Sequence, residues 1–474
     1  MANRLYETKT ELIQVVGSYF QSASVKESGR GHYVATTNAT IQDIRYKACE
    51  LEQKLTELTW EIALRRSNCF SQALSIAVSS FLSTFSNLVS RADCNKQTSL
   101  MIETWIKHGF LLCFEGLLSA AGKETGMIED ATVAINMLSM AGVMLVCDQK
   151  QNDLLDFGTD TTAKQEESER KIPVHGSQFI QWIKVVRQQQ PPNCCASNVT
   201  IVVHVGLTSQ YYNTHIPISL REVVVPFYPM LFQMGVDIRQ WGANAGANVR
   251  NQLNEHKVKL DRQLSRRDTP DEDEAPELSA TETCDFLMKI NQNAFKRLNL
   301  YAHRTVPLSS GNTVGMNATE ITSRVHPIVT SLWEYIDNAH GKMEHGVLDA
   351  CAQAACKLGG GSIVFCKSGK DRTAMQVTYK QAQFIHKFIC TTDVNKTPME
   401  TNEEQKQVIV SDSTLMRLHG TRLMICEKNV GQFKYAFNAL QAKFMPDVLK
   451  PPPAAMAGFL KGGRVFSKEG MIES

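Results

Sequence analysis

Residues 359–375 read Gly-Gly-Gly-Ser-Ile-Val-Phe-Cys-Lys-Ser-Gly-Lys-Asp-Arg-Thr-Ala-Met. Three glycines make a turn, and Ser362 to Phe365 is a short apolar run of strand type. A compact polar loop follows, and then Ala374 to Phe388 has helical character. The order strand, tight loop, helix predicts a phosphate cradle. A loop ending at a helix N-terminus points several backbone N–H groups inward and adds the positive end of the helix dipole. A dianionic phosphate fits such a nest, and the same field stabilises a thiolate. A free cysteine has a pKa near ~8.5, which falls to roughly 3.5–7.5 beside a helix N-terminus and cations. Cys366 stands at that position, with Lys367, Lys370 and Arg372 beside it.

Arg372 follows Cys366 in a C-x5-R spacing. The loop can wrap one phosphate while the guanidinium returns to it. A planar fork holds two phosphate oxygens and follows them into a transition state, a geometry lysine cannot copy. Thr373 can hydrogen-bond the sulfur, and Gly369 permits close approach of backbone to ligand. An ordinary core cysteine would not be followed by Lys-Ser-Gly-Lys-Asp-Arg. A Walker-type nucleotide loop is excluded, because the partner glycine would fall at Val364 and Asp371 occupies the Ser/Thr position. The pattern therefore implies phosphoryl transfer through a cysteine nucleophile, with Cys366 and Arg372 as the central pair.

Around this loop the chain runs to 474 residues, too many for one ordinary core. Its hydrophobic share of 43% and charged share of 21% are those of a globular protein. A net charge of +2 gives no global bias toward nucleic acid. From Gly361 onward, 16 Lys/Arg stand against 10 Asp/Glu, a mildly basic region suited to an anionic ligand or membrane surface. The 13 cysteines are scattered, without CxxC pairs or zinc spacing, as in a reducing, cytoplasmic compartment. No metal site and no cofactor is expected. Met1 to Phe20 lacks the pattern of a secretory signal. The longest apolar run, Ile135 to Cys147, is too short to span a bilayer and is expected as a buried helix. Asn-x-Ser/Thr triplets at Asn38, Asn198 and Asn317 are then chance matches.

The expected fold class is α/β: a mostly helical N-terminal region, then a catalytic domain with a strand–loop–helix site. Residues 1–147 form the helical region, 148–198 a linker or surface loop, and 199–474 the catalytic domain. A disordered insertion is expected at 257–283, where the sequence is highly charged. Ile41, Ile44, Ala48, Leu51, Leu55, Leu58 and Ile62 form a heptad seam, read as packing within a helical domain rather than a coiled-coil dimer. Further helical pattern runs through Leu100–Leu118, Ala131–Val146 and Thr330–Leu358. Asn198–Gly206 and Glu222–Tyr228 are β-branched runs of strand type. His326, His340, His345 and His386 lack ligand spacing and read as surface or core histidines. Phe433, Tyr435 and Phe437 alternate with polar residues; core packing is the simpler reading, lining a substrate groove the other.

At Cys366-Lys-Ser-Gly-Lys-Asp-Arg-Thr373 the sequence resembles the active-site loop of the inositol polyphosphate 4-phosphatases and of related bacterial inositol phosphatase effectors. The first family usually carries alanine where Gly369 stands. The resemblance continues at Lys428-Asn-Val-Gly-Gln-Phe-Lys-Tyr-Ala-Phe-Asn-Ala-Leu-Gln441 and Pro451-Pro452. Weaker echoes lie at Phe114-Glu-Gly-Leu-Leu-Ser, Gly126-Met-Ile-Glu-Asp130 and Val225-Pro through Phe232-Gln-Met-Gly-Val236. No stretch is identified as the lipid-binding C2 domain that the eukaryotic family carries. The resemblance implies removal of the 4-phosphate from phosphatidylinositol 3,4-bisphosphate, with soluble inositol polyphosphates as further substrates. The partner is then a phosphoinositide headgroup, reached by peripheral association with a membrane rather than by a transmembrane segment. Lys367 and Lys370 would meet the extra ring phosphates, with Ser368, Gly369 and Thr373 completing the substrate-binding loop. Asp371 is the candidate general acid; a structural partner of a loop cation is its competing role, and Asp337 and Asp349 are other candidates. The competing functional readings are a phosphatase of different ring-position or protein specificity, and a phosphoinositide-binding scaffold.

Overall fold

The computed structural model describes residues 2–24, 33–90, 95–120, 123–148, 172–173, 179–188, 199–235, 280–306, 324–340, 343–387, 403–438, 442 and 445–458. Helix α1 (Ala2–Ser24) packs on the long helix α2 (Tyr33–Ser90). Within the seam, Leu51 and Leu58 are buried and Ile44, Ala48, Leu55 and Ile62 are half-buried. The seam thus has an intramolecular partner. By length and composition the described part of α2 could cross a membrane. Its apolar C-terminal half, however, lies in the core through Ala77, Val78, Phe81 and Phe85.

After α3 (Asn95–His108) comes β1 (Phe110–Gly116), then α4 (Lys123–Met137) and β2 (Ala141–Asp148). The helical reading of Leu100–Leu118 and of Ile135–Cys147 is therefore corrected: each begins in a helix and ends in a central strand. The cause is burial on both faces. All seven residues of β1 are buried, so the strand is a continuous apolar run without the alternation that marks a half-exposed one. Residues 1–147 accordingly supply two strands of the main sheet, and the sheet is not confined to 199–474. Strands β3 (Ile172–Pro173) and β4 (Ile180–Arg187) fall inside the stretch read as linker; 149–171, 174–178 and 189–198 lie outside the described residues.

The expected strands are found as β5 (Ile201–Thr208) and β6 (Val225–Gln233), separated by helix α5 (Ser209–His215). Helix α6 (Ala280–Thr305) takes up the last residues of the expected insertion, 280–283, and 257–279 lie outside the described residues. Helices α7 (Thr330–Ala339) and α8 (Gly346–Lys357) lead to β7 (Gly361–Phe365) and α9 (Asp371–Ile385). Helices α10 (Glu403–His419) and α11 (Thr421–Val430) and a small pair, β8 (Tyr435–Asn438) with β9 (Met456–Gly458), complete the described fold.

Seven strands form one mixed sheet in the order β3-β4-β5-β2-β6-β1-β7. β1 runs parallel to both β6 and β7, and β2 runs antiparallel to β6. One face of the sheet packs on α2 and α3 through Phe81, Trp105, Phe110, Leu112, Phe114 and Ile363. The other packs on α6 to α9 through Leu111, Cys113, Met230, Leu298, Leu348 and Met375. Trp105 is fully buried, stands edge-on to Phe81 and Phe110, and donates its indole N–H to the Gly359 carbonyl at 2.9 Å. That bond fixes the glycine turn that feeds β7. A Cβ on Gly360 would sit 2.6 Å from the Leu111 backbone oxygen, so the turn needs glycine to lie against β1.

Candidate active site

Loop 366–370 leaves the carboxyl edge of three parallel strands. Gly116 pairs with Phe365 on one side and with Gln233 on the other, and Leu117 donates its N–H to the Phe365 carbonyl at 2.9 Å. Ligands of open α/β sheets bind beyond this edge. Cys366 is 8% exposed, at the base of the loop. Lys367 and Ser368 are exposed at its rim, and Gly369 and Lys370 are half-buried. Gly369 has φ +67°, and a Cβ there would meet nothing within 4 Å. Glycine therefore serves the backbone conformation, not a crowded contact.

Helix α9 starts at Asp371, and its first backbone bond runs from the Ala374 N–H to the Lys370 carbonyl at 2.7 Å. Among the described residues the N-cap position, Lys370, makes no side-chain capping bond. The N–H groups of Asp371, Arg372 and Thr373 precede that bond and point from the positive end of the helix. The Thr373 hydroxyl is buried and has no hydrogen-bond partner among the described residues, a costly state for a polar atom unless something at the site supplies one.

Arg372 is gripped from the far end of the sequence. Its Nη1 donates to the Leu117 carbonyl and to Glu124 Oε2, both at 2.8 Å, and its Nη2 to Glu124 Oε1 at 2.6 Å. Glu124 lies in the first turn of α4 and also accepts the Ser119 N–H at 2.7 Å. Burial alone would raise the Glu124 pKa; the hydrogen bond and charge of Arg372, the Ser119 amide and the charge of Lys367 outweigh it and hold the carboxyl below its ordinary value. Sequence reasoning missed Glu124, since nothing in its neighbourhood points to a residue 248 positions away.

Asp371 is buried, and its Oδ1 accepts the Ala436 N–H of β8 at 2.8 Å. Cys426 of α11 lies against it; burial and the Asp371 carboxylate push that thiol up to about 12. Beneath the loop is a second set of charges that sequence reasoning missed. Glu115, fully buried on β1, is ion-paired with Lys380 of α9 and accepts the Ser362 hydroxyl. Burial lowers the Lys380 pKa, but Glu115 and Asp349 outweigh it and the net shift is upward. Asp349 of α8 accepts Gln376 Nε2 at 3.1 Å. Its burial, helped by Glu115 and opposed by Lys380 and His345, pushes its pKa up to about 6.

The C-terminal segment is pinned behind α9 by a buried arginine. Arg417 donates from Nε to the Thr378 hydroxyl at 2.9 Å, from Nη2 to the Met375 and Val448 carbonyls at 2.9 and 2.7 Å, and from Nη1 to the Lys450 carbonyl at 3.0 Å. Tyr435 returns a hydroxyl bond to the Arg417 carbonyl at 3.0 Å. Tyr435 and Phe437 are core residues, as the simpler reading expects, whereas Phe433 is 52% exposed. His326 is a core histidine, its ring bonded to the Val306 carbonyl and the Ile328 N–H.

Together these elements define the class: a mixed α/β protein in which a strand, a loop carrying Cys366 and a helix carrying Arg372 follow one another at the carboxyl edge of the sheet. Comparison with known proteins adds the relatives. The family description "INPP4A C-terminal domain" matches residues 284–449. The type II inositol 3,4-bisphosphate 4-phosphatase of Pongo abelii is 23% identical over 398 residues, covering 82% of this chain and 32% of its own length. The human inositol polyphosphate 4-phosphatase type II gives the same figures, and the rat protein is 22% identical over 402 residues. The chain is thus homologous to members of this phosphatase family, and it spans about a third of the length of the curated relatives it matches.

Proposed function

We propose that this protein is a cysteine-dependent phosphatase that removes the 4-phosphate of phosphatidylinositol 3,4-bisphosphate and acts also on soluble inositol polyphosphates. The observation that carries the reading is the spacing of Cys366 on the loop and Arg372 in the first turn of the helix that follows it, in a chain homologous to phosphatases named for inositol 3,4-bisphosphate. Cys366 Sγ attacks phosphorus in line, and the bond from phosphorus to the inositol oxygen breaks. Asp371, oriented by the Ala436 amide, gives its proton to the leaving oxygen. Water then attacks the phosphocysteine, Asp371 takes a proton from it, and phosphate and thiolate are released. The amides at the start of α9 and the Arg372 guanidinium stabilise the equatorial oxygens. Lys367 and Lys370 meet the neighbouring ring phosphate, Ser368 and Gly369 line the cradle, and the buried Thr373 hydroxyl bonds the departing sulfur. The protein would reach its lipid by peripheral association with the membrane.

The test is phosphate release from short-chain phosphatidylinositol 3,4-bisphosphate in the presence of chelator, with wild type and Cys366→Ser, and identification of the product isomer. Cys366-dependent release yielding the 3-phosphate supports the reading. Release of another isomer changes the ring position, and no release from folded protein across a panel of inositol phosphates replaces the enzyme by a binding scaffold.

A further inference from the structure

We propose that helix α11 and the turn leading into β8 form a membrane-docking edge, in which Met424, Ile425 and Phe433 enter the interfacial zone of an anionic bilayer and Lys428 and Lys434 meet its headgroups. The inference rests on the proposed phosphoinositide function and names the surface that would serve it.

Met424 is 62% exposed, Ile425 42% and Phe433 52%. A lone exposed apolar side chain is ordinary, but three within ten residues of one segment that also carries exposed or half-buried lysines give it the composition of a surface that meets a partner or a lipid. The outward position of these side chains is not the result of a missing inner face. On the same segment Cys426 and Tyr435 are fully buried and Leu423 is half-buried against the core. The segment therefore has two apolar sides, one committed to the fold and one facing out.

Its charge fits an anionic surface. Residues 421–434 contain Arg422, Lys428 and Lys434 against Glu427 alone. Lys428 is exposed, Lys434 half-buried, and Lys367 at the loop rim is exposed as well. A basic residue held near an anionic leaflet strengthens binding by roughly fivefold, so the two docking lysines together amount to roughly 25-fold at low salt.

The patch is also coupled to the proposed catalytic loop. The Ala436 N–H holds the Asp371 carboxylate at 2.8 Å, and Cys426 lies against the same carboxyl group. Phe433 is three residues before Ala436, no more than ~10 Å of chain. Interfacial apolar side chains sink ~5–10 Å below the headgroups. Insertion of Phe433 would therefore hold the segment that anchors Asp371 within about one strand-length of the headgroups.

The experiment uses the full chain with two variants, Met424→Gln/Ile425→Gln/Phe433→Ser and Lys428→Gln/Lys434→Gln. Each is sedimented with phosphatidylcholine vesicles containing about one-fifth phosphatidylserine and no phosphoinositide, so that binding does not depend on the active site. Turnover is then measured on water-soluble short-chain phosphatidylinositol 3,4-bisphosphate and on the same headgroup in vesicles. Wild type is expected to pellet with the anionic vesicles. The apolar variant should bind at least tenfold more weakly and lose at least tenfold in kcat/KM on vesicles, with short-chain turnover unchanged. The lysine variant should lose binding in a salt-dependent way. Wild type that stays in the supernatant, or an apolar variant that pellets like wild type, overturns the proposal. A loss equal on both substrates also overturns it, since the patch would then be part of the folded core. Absence of turnover by wild type on either substrate would count against the proposed function, while the sedimentation result still decides the docking edge.

Discussion

Replacing Glu124 by glutamine tests whether Arg372 is held in place by its distant partner. Glutamine keeps the shape and the acceptor for the Ser119 amide, but removes the charge and one of two parallel bonds to the guanidinium at 2.6 and 2.8 Å. The Arg372 side chain is 22% exposed and that of Glu124 14%, so solvent screening is small. A hydrogen bond to a charged group contributes ~1.5–3 kcal/mol, and the substitution should lower stability by about that amount. The catalytic effect should be larger than the stability loss alone suggests. A clamp displaced by ~1 Å costs roughly 10²-fold, and because it acts on charge that develops in the transition state, the loss should appear in kcat more than in KM. Stability must also depend on pH in a defined sense. The Glu124 pKa is depressed in the folded protein, so its contribution is fully present above the unfolded value of ~4.3 and is lost as pH falls through the folded value. Denaturant unfolding of both proteins from pH 7 to pH 3, with kcat and KM on a soluble substrate, provides the measurement. A stability gap that is open at pH 7 and closes in acid, together with kcat reduced ~10–100-fold, is expected. An unchanged kcat, or a gap independent of pH, would refute the reasoning.

Gly369→Ala puts a side chain at φ +67° into open space; the left-handed conformation costs ~1–2 kcal/mol, so the melting temperature should fall by a few degrees with turnover retained, and a loss of turnover above ~10-fold would mean the loop itself has changed shape. Asp371→Asn keeps the bond from the Ala436 amide and removes the proton donor; rates on inositol phosphates should fall ~10²–10⁴-fold and rates on an activated aryl phosphate far less, whereas equal losses would transfer the acid role elsewhere. Asp349→Asn separates that alternative: its raised folded pKa, about 6, means stability declines as pH rises from the unfolded value of ~3.9 toward 6, so the variant should gain ~1–3 kcal/mol at pH 8 and little at pH 4 with its activity profile intact, and loss of the basic limb of that profile would make Asp349 the acid.

What could be read from the sequence was local, and what was missed was mostly long-range. The segment 359–375 reveals its turn, strand, loop and helix because each depends on neighbours a few residues apart, and the structure places them in that order. Ile41–Ile62 is legible for the same reason. β1 and β2 are hidden because they are internal strands of the sheet, Phe110–Gly116 wholly buried and Ala141–Asp148 buried or half-buried throughout, where an apolar run has no period. The partners of the loop are hidden more deeply. Glu124, Glu115 and Arg417 are ordinary charged residues on helices or strands, and only the fold brings Glu124 to Arg372, Glu115 to Lys380 and Arg417 to the helix that follows the loop. The likeness noticed at Lys428–Gln441 acquires a physical basis here: that segment contains Ala436, which anchors Asp371, and Tyr435, which braces Arg417.

These attachments bear on where the folded unit that carries the loop begins. A fragment starting at residue 199 would keep Cys366, Asp371 and Arg372 but lose β1, the strand between β6 and β7. β7 pairs with β1 in the sheet, so its removal would leave the strand feeding the loop without its sheet neighbour. The same cut would remove Glu115, leaving Lys380 without the ion-pair partner that holds it, and Glu124, leaving Arg372 without its carboxylate. Breaking one buried pair of this kind costs ~3–5 kcal/mol, and a domain is stable by only ~5–15 kcal/mol in total. The two losses alone approach that margin before the apolar area of β1 is counted. The fragment 199–474 should therefore show no cooperative thermal transition and no turnover. Adding back residues 33–198 should restore both, because that stretch supplies α3, β1, α4 and β2 together with α2, whose Phe81 and Phe85 cover one face of the sheet. A fragment from 199 that melted cooperatively and released phosphate would show that the loop is organised by its own neighbours, and that the contacts from β1 and α4 contribute little.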